Sequence, residues 1–147
     1  LEIYTDADGE VIFKKYSPVG ELATFSSQYA EVLSKSCGNP IVVCDRDHVI
    51  AAAGISKKEV LERRITPQLE ELMETRKTYS ASASDVRKLM AIEGYERSVS
   101  IAVPIIAAGD ICGAIMMLTP ENNSLPTESD VKLLTVAGNF LGRQLDT

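Results

Sequence analysis

The chain has 147 residues, 45% hydrophobic and 24% charged, so one globular domain of ordinary size is the first expectation and collagen-like, disordered and disulfide-scaffold classes are excluded. The 15 Lys and Arg residues stand against 21 Asp and Glu residues, giving a formal net charge of −6 that repels a phosphate backbone at long range. We therefore do not expect this stretch of chain to hold nucleic acid by itself.

Residues 1–16 predict a small β-hairpin, because apolar and polar side chains alternate on either side of the turn sequence Asp6-Ala7-Asp8-Gly9. A two-stranded unit of this size is marginal alone. We therefore expect these residues to belong to a larger domain that has been cut away, and residues 17–147 to form a second domain.

A long helix is predicted next, since Ser17 and Pro18 fit its cap and first turn and Cys37-Gly38-Asn39-Pro40 ends it. Apolar residues recur along it at helical spacing, and a second apolar stripe runs beside them through Ala23, Ala30 and Leu33. The first stripe consists of Leu22, Phe25, Tyr29 and Val32. Two apolar faces need two partners, so a second helix or a second subunit is implied.

The middle of the chain predicts a hairpin followed by short helices. Two β-branched runs, PIVVCDRD and HVIAAAG, flank a charged turn at residues 45–48. Ser56 and Glu59 have the spacing of a capping box, and Thr66-Pro67 fits the start of the next helix. Residues 78–96 leave strand, loop and a short helix open as alternatives.

Residues 101–118 carry a single charge and are about long enough to span a bilayer as a helix. Asp110 would then lie at the membrane centre, at a cost of about 2.5–3.5 kcal/mol, and Gly109-Asp110 is a hairpin turn signal. We expect two buried strands and no membrane contact.

Thr127 and Asp130 predict the cap of a last helix, through Leu145. Its apolar residues form a heptad seam, and we expect the first and last helices to lie side by side and to pair with their copies in a dimer. The seam consists of Val131, Leu134, Gly138, Leu141 and Leu145. Gly138-x-x-x-Gly142 is expected to let two helices approach closely, so that Gly138→Leu would weaken the dimer.

Two resemblances meet in these segments. PIIAAGDICGAIMML and DVKLLTVAGNFLGRQL resemble the closing hairpin and final helix of a GAF domain, a small-molecule-sensing module. LEIYTDADGEVIFKKYSP resembles the last two strands of an AbrB-type swapped-hairpin DNA-binding domain. In this order, joined by a helix, and supported by VVCDRD and SKKE, the chain resembles one family of sporulation transcription regulators of endospore-forming bacteria.

The resemblance implies an α+β, GAF-like fold with a central antiparallel sheet flanked by helices, preceded at residues 1–16 by AbrB-like strands. It implies a regulatory dimerisation domain in the cytoplasm, with DNA bound only through the part that precedes Leu1. Further association into a tetramer, and the sensing of an unidentified small molecule, are left open. The alternatives are a ligand-free dimerisation module and a GAF-fold thiol reductase acting on free methionine sulfoxide.

We also hypothesise a ligand pocket on one face of the sheet. Alternation from residue 98 to 106 puts Val99, Ile101, Val103 and Ile105 on a bulky face toward the long helices, and small residues on the other. The opposing alternative is that Leu89, Met90 and other side chains fill that space. The predicted pocket residues are Ile50, Ala52, Tyr79, Ser98, Ser100, Ala102, Cys112 and Ala114.

No catalytic residue, metal or cofactor is expected. Cys37, Cys44 and Cys112 are an odd number without C-x-x-C spacing and lie in apolar stretches, which favours inert thiols in a reducing compartment. His48 is the single histidine and is expected to be a solvated turn residue, because a metal site needs more ligands.

Overall fold

A five-stranded antiparallel sheet forms the centre of the protein, in the strand order β2-β1-β5-β4-β3 defined below. The computed structural model describes residues 18–85 and 87–146, without the side chains of 18–22, 24 and 146. The hairpin expected at residues 1–16 lies outside this part. In chain order the elements are α1 (Pro18–Cys37), β1 (Ile41–Cys44), β2 (Val49–Ala53), α2 (Lys57–Val60), α3 (Pro67–Glu74), β3 (Tyr79–Ser80), β4 (Val99–Ala107), β5 (Asp110–Leu118) and α4 (Glu128–Asp146).

The predicted α+β architecture is confirmed. The apolar run of residues 101–118 forms the two long strands β4 and β5, as expected from its Ile and Val content. Their turn consists of Ala108 and Gly109, with φ of 52° and 83°, and Asp110 already pairs with Ala107. The turn was expected one residue later, at Gly109-Asp110; left-handed backbone at both central residues suits the twist of a two-residue hairpin.

Of the four predicted helix caps, the one at Ser17 lies outside the described residues, and two of the other three are present. The Thr66 hydroxyl oxygen accepts a hydrogen bond from the backbone N–H of Leu69 at 3.2 Å. Thr127 and Asp130 cap α4 reciprocally, each side chain accepting from the other's backbone N–H, at 3.1 and 3.2 Å. The capping box at Ser56 is wrong, because its side chain makes no cap hydrogen bond. The single turn of α2 is instead closed by backbone bonds, such as Glu59 N–H to Ser56 O at 3.2 Å.

The sheet is buried on both faces. The helix-side core lies under α1 and α4 and comprises Ala30, Leu33, Ile41, Val43, Ala51, Ala53, Ile101, Val103, Ile105, Ile115, Met117, Leu134, Ala137 and Leu141. The far-side core comprises Val42, Cys44, Val49, Ala52, Val60, Ile65, Leu69, Met73, Leu89, Ala91, Ile92, Val99, Ala102, Ile111, Ala114, Met116 and Leu118. The segment at 89–92 closes the far side through isolated bridges, Ile65 to Ile92 and Leu89 to Val99.

Three irregularities in strand pairing decide which residue faces which core. The register shifts between Val43 and Cys44, between Val99 and Ile101, and between Ile105 and Ile106. At each shift one residue has no partner on the neighbouring strand. These extra residues are Ile50, Ser100 and Cys112, respectively. An extra residue changes the side to which every following side chain points.

Candidate ligand site and oligomerisation surface

The centre of the predicted pocket is filled with side chains. Ala52, Ala102 and Ala114 do share one face of the sheet, as predicted, but all three are buried in the far-side core. Leu89 belongs to the same cluster. The space above these alanines is therefore packed, as the alternative interpretation of the sequence had it.

Two predicted pocket residues lie on the opposite face of the sheet. Ile50 and Cys112 pack against the helix-side core. Each is the extra residue at a register shift, so simple alternation along its strand puts it on the wrong face. The extra residue Ser100 has the same effect on Val99. Val99 was expected to face the long helices, and it is instead buried in the far-side core.

The remaining predicted pocket residues, Tyr79, Ser98 and Ser100, meet at the outer end of the sheet. There they line a cavity of about 210 Å³ between β3, the start of β4 and two loops. The loop after β3, Lys88 and the segment 119–125 supply most of the remaining wall, and none of their residues was among the predicted pocket residues. The additional lining residues are Ala81, Ser82, Ala83, Asp85, Lys88, Val99, Thr119, Asn123, Ser124 and Leu125.

Asp85 organises the loop over this cavity. Its carboxylate accepts hydrogen bonds from the Tyr79 hydroxyl at 3.0 Å, the Ser82 backbone N–H at 3.1 Å and the Ser82 hydroxyl at 3.2 Å. The backbone bond from Ser82, and then the bond from Tyr79, lower the pKa of Asp85. Burial, and then the bond to this carboxylate, raise the pKa of Tyr79 to about 12. At neutral pH the pair is therefore an ionised carboxylate and a protonated phenol.

The inner wall contains the side chains of Ser98, Ser100 and Thr119. The Ser98 and Thr119 hydroxyls lie 2.7 Å apart and hydrogen-bond to each other, and Arg97 Nε donates to Thr119 O at 2.8 Å. Ser100 is only 1% exposed, and its hydroxyl has no hydrogen bond to any residue that the structure describes. A hydroxyl both donates and accepts, so this group can hydrogen-bond to a ligand or a water molecule in the cavity.

Helices α1 and α4 lie side by side, as predicted. The rings of Tyr29 and Phe140 are in contact, with centroids 5.1 Å apart and planes tilted by 53°. Much apolar surface stays exposed on these two helices: 42% of Phe25, 59% of Val32, 61% of Val136 and 43% of Phe140. We call these four residues with Tyr29 the outer face.

Part of the predicted dimer surface belongs to the subunit's own core. Leu134 and Leu141 are fully buried in the helix-side core, and Val131 and Leu145 are half-buried against it. A heptad seam and the face of a helix lying on a sheet have nearly the same spacing, so the pattern did not distinguish them. The side chain of Leu22 lies outside the described part.

Gly138 also has a different neighbour from the one expected. A β carbon at Gly138 would stand 2.7 Å from Val103 Cγ1, and one at Gly142 would meet the backbone oxygen of Ile106. Both glycines therefore bring α4 close to strand β4 of the same subunit. The expected close approach of two helices at Gly138 is corrected to a helix-to-strand contact.

Cys37 and Cys44 do not have the environment of reactive thiols. Complete burial raises the pKa of Cys44 to about 12. Desolvation also raises the pKa of Cys37, with a smaller contribution from the negative charge of Asp130. Because the thiolate is the nucleophile, both residues are held in the unreactive form at neutral pH. The sulfur of Cys112 lies 3.7 Å from Asp110 O, to which it donates.

Asp45, Asp47 and His48 are brought together in the β1–β2 turn, with ligand atoms within 4.8 Å of one another. One carboxylate oxygen of Asp45 accepts from the backbone N–H groups of both Asp47 and His48, at 2.6 Å each. This pattern is an Asx turn, in which the aspartate closes the chain reversal.

None of the helices in the part of the chain that the structure describes is long and apolar enough to cross a membrane.

Solved structures of known proteins show the same fold. The type II free methionine-R-sulfoxide reductase from Thermoplasma acidophilum superposes with a TM-score of 0.63 at 11% identity, over 88% of this chain and 95% of that one. The cofactor-binding GAF domain of the nutrient sensor CodY from Clostridium difficile superposes with a TM-score of 0.56 at 9% identity, over 86% and 92%. At such low identity the likeness establishes the GAF-like fold alone.

Sequence comparison is more specific. Residues 21–146 match the family model described as stage V sporulation protein T C-terminal, transcription factor. The chain is 38% identical over 148 residues to stage V sporulation protein T of Bacillus subtilis strain 168, covering 99% of this chain and 81% of that protein. The chain therefore belongs to the stage V sporulation protein T family of sporulation transcription factors, and it contains that family's C-terminal, GAF-like regulatory domain.

Proposed function

We propose that this domain is a non-catalytic regulator that joins two copies of the transcription factor and responds to a small molecule. The observation that carries the first part is the outer face, whose residues Phe25, Val32, Val136 and Phe140 keep 42–61% of their surface exposed. Contiguous apolar surface on two adjacent helices is typical of a protein interface. A second copy related by a two-fold axis would present the same residues and cover them.

Dimerisation would act on DNA binding through proximity. The AbrB-like strands expected at residues 1–16 lead directly into α1, so joining two domains raises the effective concentration of the attached DNA-binding halves. A tetramer made of two dimers is a further arrangement, which the sedimentation experiment given below would detect. This function would place the protein in the cytoplasm with the chromosome.

The cavity at the end of the sheet is the proposed sensing site. Three residues chosen from the sequence, Tyr79, Ser98 and Ser100, line it, and the buried Ser100 hydroxyl supports binding of a polar ligand. The cavity touches β4, and β4 packs against α4. A ligand would alter DNA binding only by favouring one of two arrangements of these helices.

A ligand-free dimerisation module is the second candidate, favoured by the packed core above Ala52, Ala102 and Ala114. The thiol-reductase alternative has less support, since Cys44 is fully buried with its pKa raised to about 12. Turnover of free methionine sulfoxide by the purified protein would reverse that judgement.

Sedimentation velocity on the full chain at micromolar concentration tests dimerisation. We expect a dimer for the unmodified protein and a folded monomer for the double variant Val136→Lys, Phe140→Lys. Leu61→Lys is the matched control, because Leu61 is also exposed but lies outside the outer face. An unmodified protein that sediments as a monomer would overturn the proposal, and a thermal-shift screen of metabolites separates sensing from dimerisation alone.

A further inference from the structure

Two residues that line the cavity, Ser100 and Lys88, carry hydrogen-bond donors without a partner among the described residues. Ser100 is a buried residue of the inner wall, and Lys88 is an exposed residue of the lining. Within the described residues the Lys88 ammonium has neither an ion pair nor a hydrogen bond. An ammonium group offers three donors and no acceptor. The cavity therefore presents a cation and a hydroxyl to whatever occupies it.

The acidic group among the described lining residues, Asp85, is held by hydrogen bonds from neutral donors. Asp85 accepts three hydrogen bonds, one from Tyr79 of β3 and two from Ser82 in the loop that follows. The carboxylate of Asp85 therefore stabilises the loop conformation. Behind the inner wall Arg97 adds a second positive charge, held by its bond to Thr119 O at 2.8 Å. Lys88 and Arg97 thus carry two positive charges against the one negative charge of Asp85, and this local balance favours an anion although the chain as a whole carries a charge of −6.

The size of the cavity limits the ligand. A volume of about 210 Å³ corresponds to roughly seven water molecules at about 30 Å³ each. Sites for drug-sized ligands start near 300 Å³. Nucleotides and tetrapyrroles are therefore too large for the cavity as it stands.

We propose that the cavity binds a small carboxylate-bearing metabolite, whose carboxylate pairs with Lys88 and whose inner end accepts a hydrogen bond from the Ser100 hydroxyl. This inference rests on the proposed sensing function and specifies its ligand class. A carboxylate paired with the Lys88 ammonium, and a polar group bonded to the Ser100 hydroxyl, would use two donors that have no partner among the described residues.

Thermal shift of the full chain with matched probe pairs tests the ligand class. The sodium salts of lactate, malonate and succinate are compared with propane-1,2-diol, malonamide and succinamide, with sodium chloride at equal ionic strength as the salt control. We expect at least one carboxylate to raise Tm by on the order of 3 °C at roughly ten times its Kd. Its neutral counterpart and the salt control should leave Tm unchanged.

Isothermal titration calorimetry of variants then tests which residues contact the probe that binds. Lys88→Gln is expected to weaken its binding at least about tenfold, the effect of losing a charged hydrogen bond, and Ser100→Ala to weaken it less. Lys58→Gln is the matched control, since it removes the same charge from the exposed helix α2. Unchanged affinity in Lys88→Gln would overturn the proposed pairing.

The outcomes separate this inference from the proposed function. Binding of the neutral probes with the same affinity as the carboxylates would overturn the ligand class and leave a sensing site in place. Silence of all six probes, together with silence in the wider metabolite screen, would overturn both and favour the ligand-free module.

Discussion

Gly138 of α4 lies directly against Val103 of β4, so that a β carbon on the glycine would come within 2.7 Å of Val103 Cγ1. The two residues fix how closely the last helix approaches the sheet. Because the contact is inside one subunit, a larger side chain at this position is expected to destabilise the fold directly and to affect dimerisation only as a consequence.

Gly138→Leu is therefore expected to lower the free energy of unfolding by about 1–3 kcal/mol, the usual cost of overpacking a close contact. Urea denaturation followed by circular dichroism measures it. Asn139→Leu, at the exposed neighbouring position, should change stability by less than about 0.5 kcal/mol. A Gly138→Leu protein that is as stable as the parent but no longer dimeric would contradict this assignment.

Ser26→Ala is expected to stabilise the protein. The Ser26 hydroxyl is fully buried on α1 and has no hydrogen-bond partner among the described residues. Its removal should recover about 1–3 kcal/mol of desolvation cost, seen as a higher urea midpoint. Ser27→Ala is the matched control, since Ser27 is exposed on the same helix and gains only about 0.5 kcal/mol in helix propensity. Equal effects of both substitutions would show that Ser26 finds a partner.

Ala108→Gly should also stabilise the protein, because Ala108 adopts a φ of 52° in the β4–β5 turn. Left-handed backbone costs a residue with a β carbon about 1–2 kcal/mol, and glycine avoids most of that cost. The neighbouring substitution Ala107→Gly, inside β4, should act in the opposite direction by about 0.5–1 kcal/mol. Thermal denaturation of the two variants distinguishes them by the sign of the Tm change.

Stability should fall at alkaline pH through Cys44. Its pKa lies near 9.0 when unfolded and is raised to about 12 by burial in the fold. The unfolded chain therefore loses its proton first, so the stabilising contribution is complete below pH 9 and is lost progressively toward pH 12. The slope approaches about 1.4 kcal/mol per pH unit within that window.

Urea denaturation at pH 8 and pH 10 measures this loss, with Cys44→Ala as the comparison. The variant should begin less stable and depend less on pH, while contributions from Tyr79 and Cys37 cancel between the two proteins. In the native state at neutral pH, Cys44 should resist iodoacetamide in a mass-spectrometric assay. Rapid native labelling of Cys44 would contradict its burial.

Local sequence signals determined the order of the elements and much of the fold class. Pro18 set the start of α1, Thr66 and the Thr127 and Asp130 pair set two more helix starts, and the β-branched run at 101–118 formed the predicted hairpin. These signals act within a few residues, so they are readable without the rest of the fold. The GAF-like resemblance rested on the same closing hairpin and helix, and the comparisons confirm it.

Only the tertiary structure decided which face each residue occupies. An extra residue at Ile50, Ser100 or Cys112 changes the direction of the side chains that follow, and nothing in the local alternation reveals it. The spacing of Leu134 and Leu141 fits a sheet and a partner helix equally well, and only the contacts of α4 with β4 and β5 show that these residues face the sheet. The cavity formed where two distant loops meet the end of the sheet, because long-range packing places the loops there.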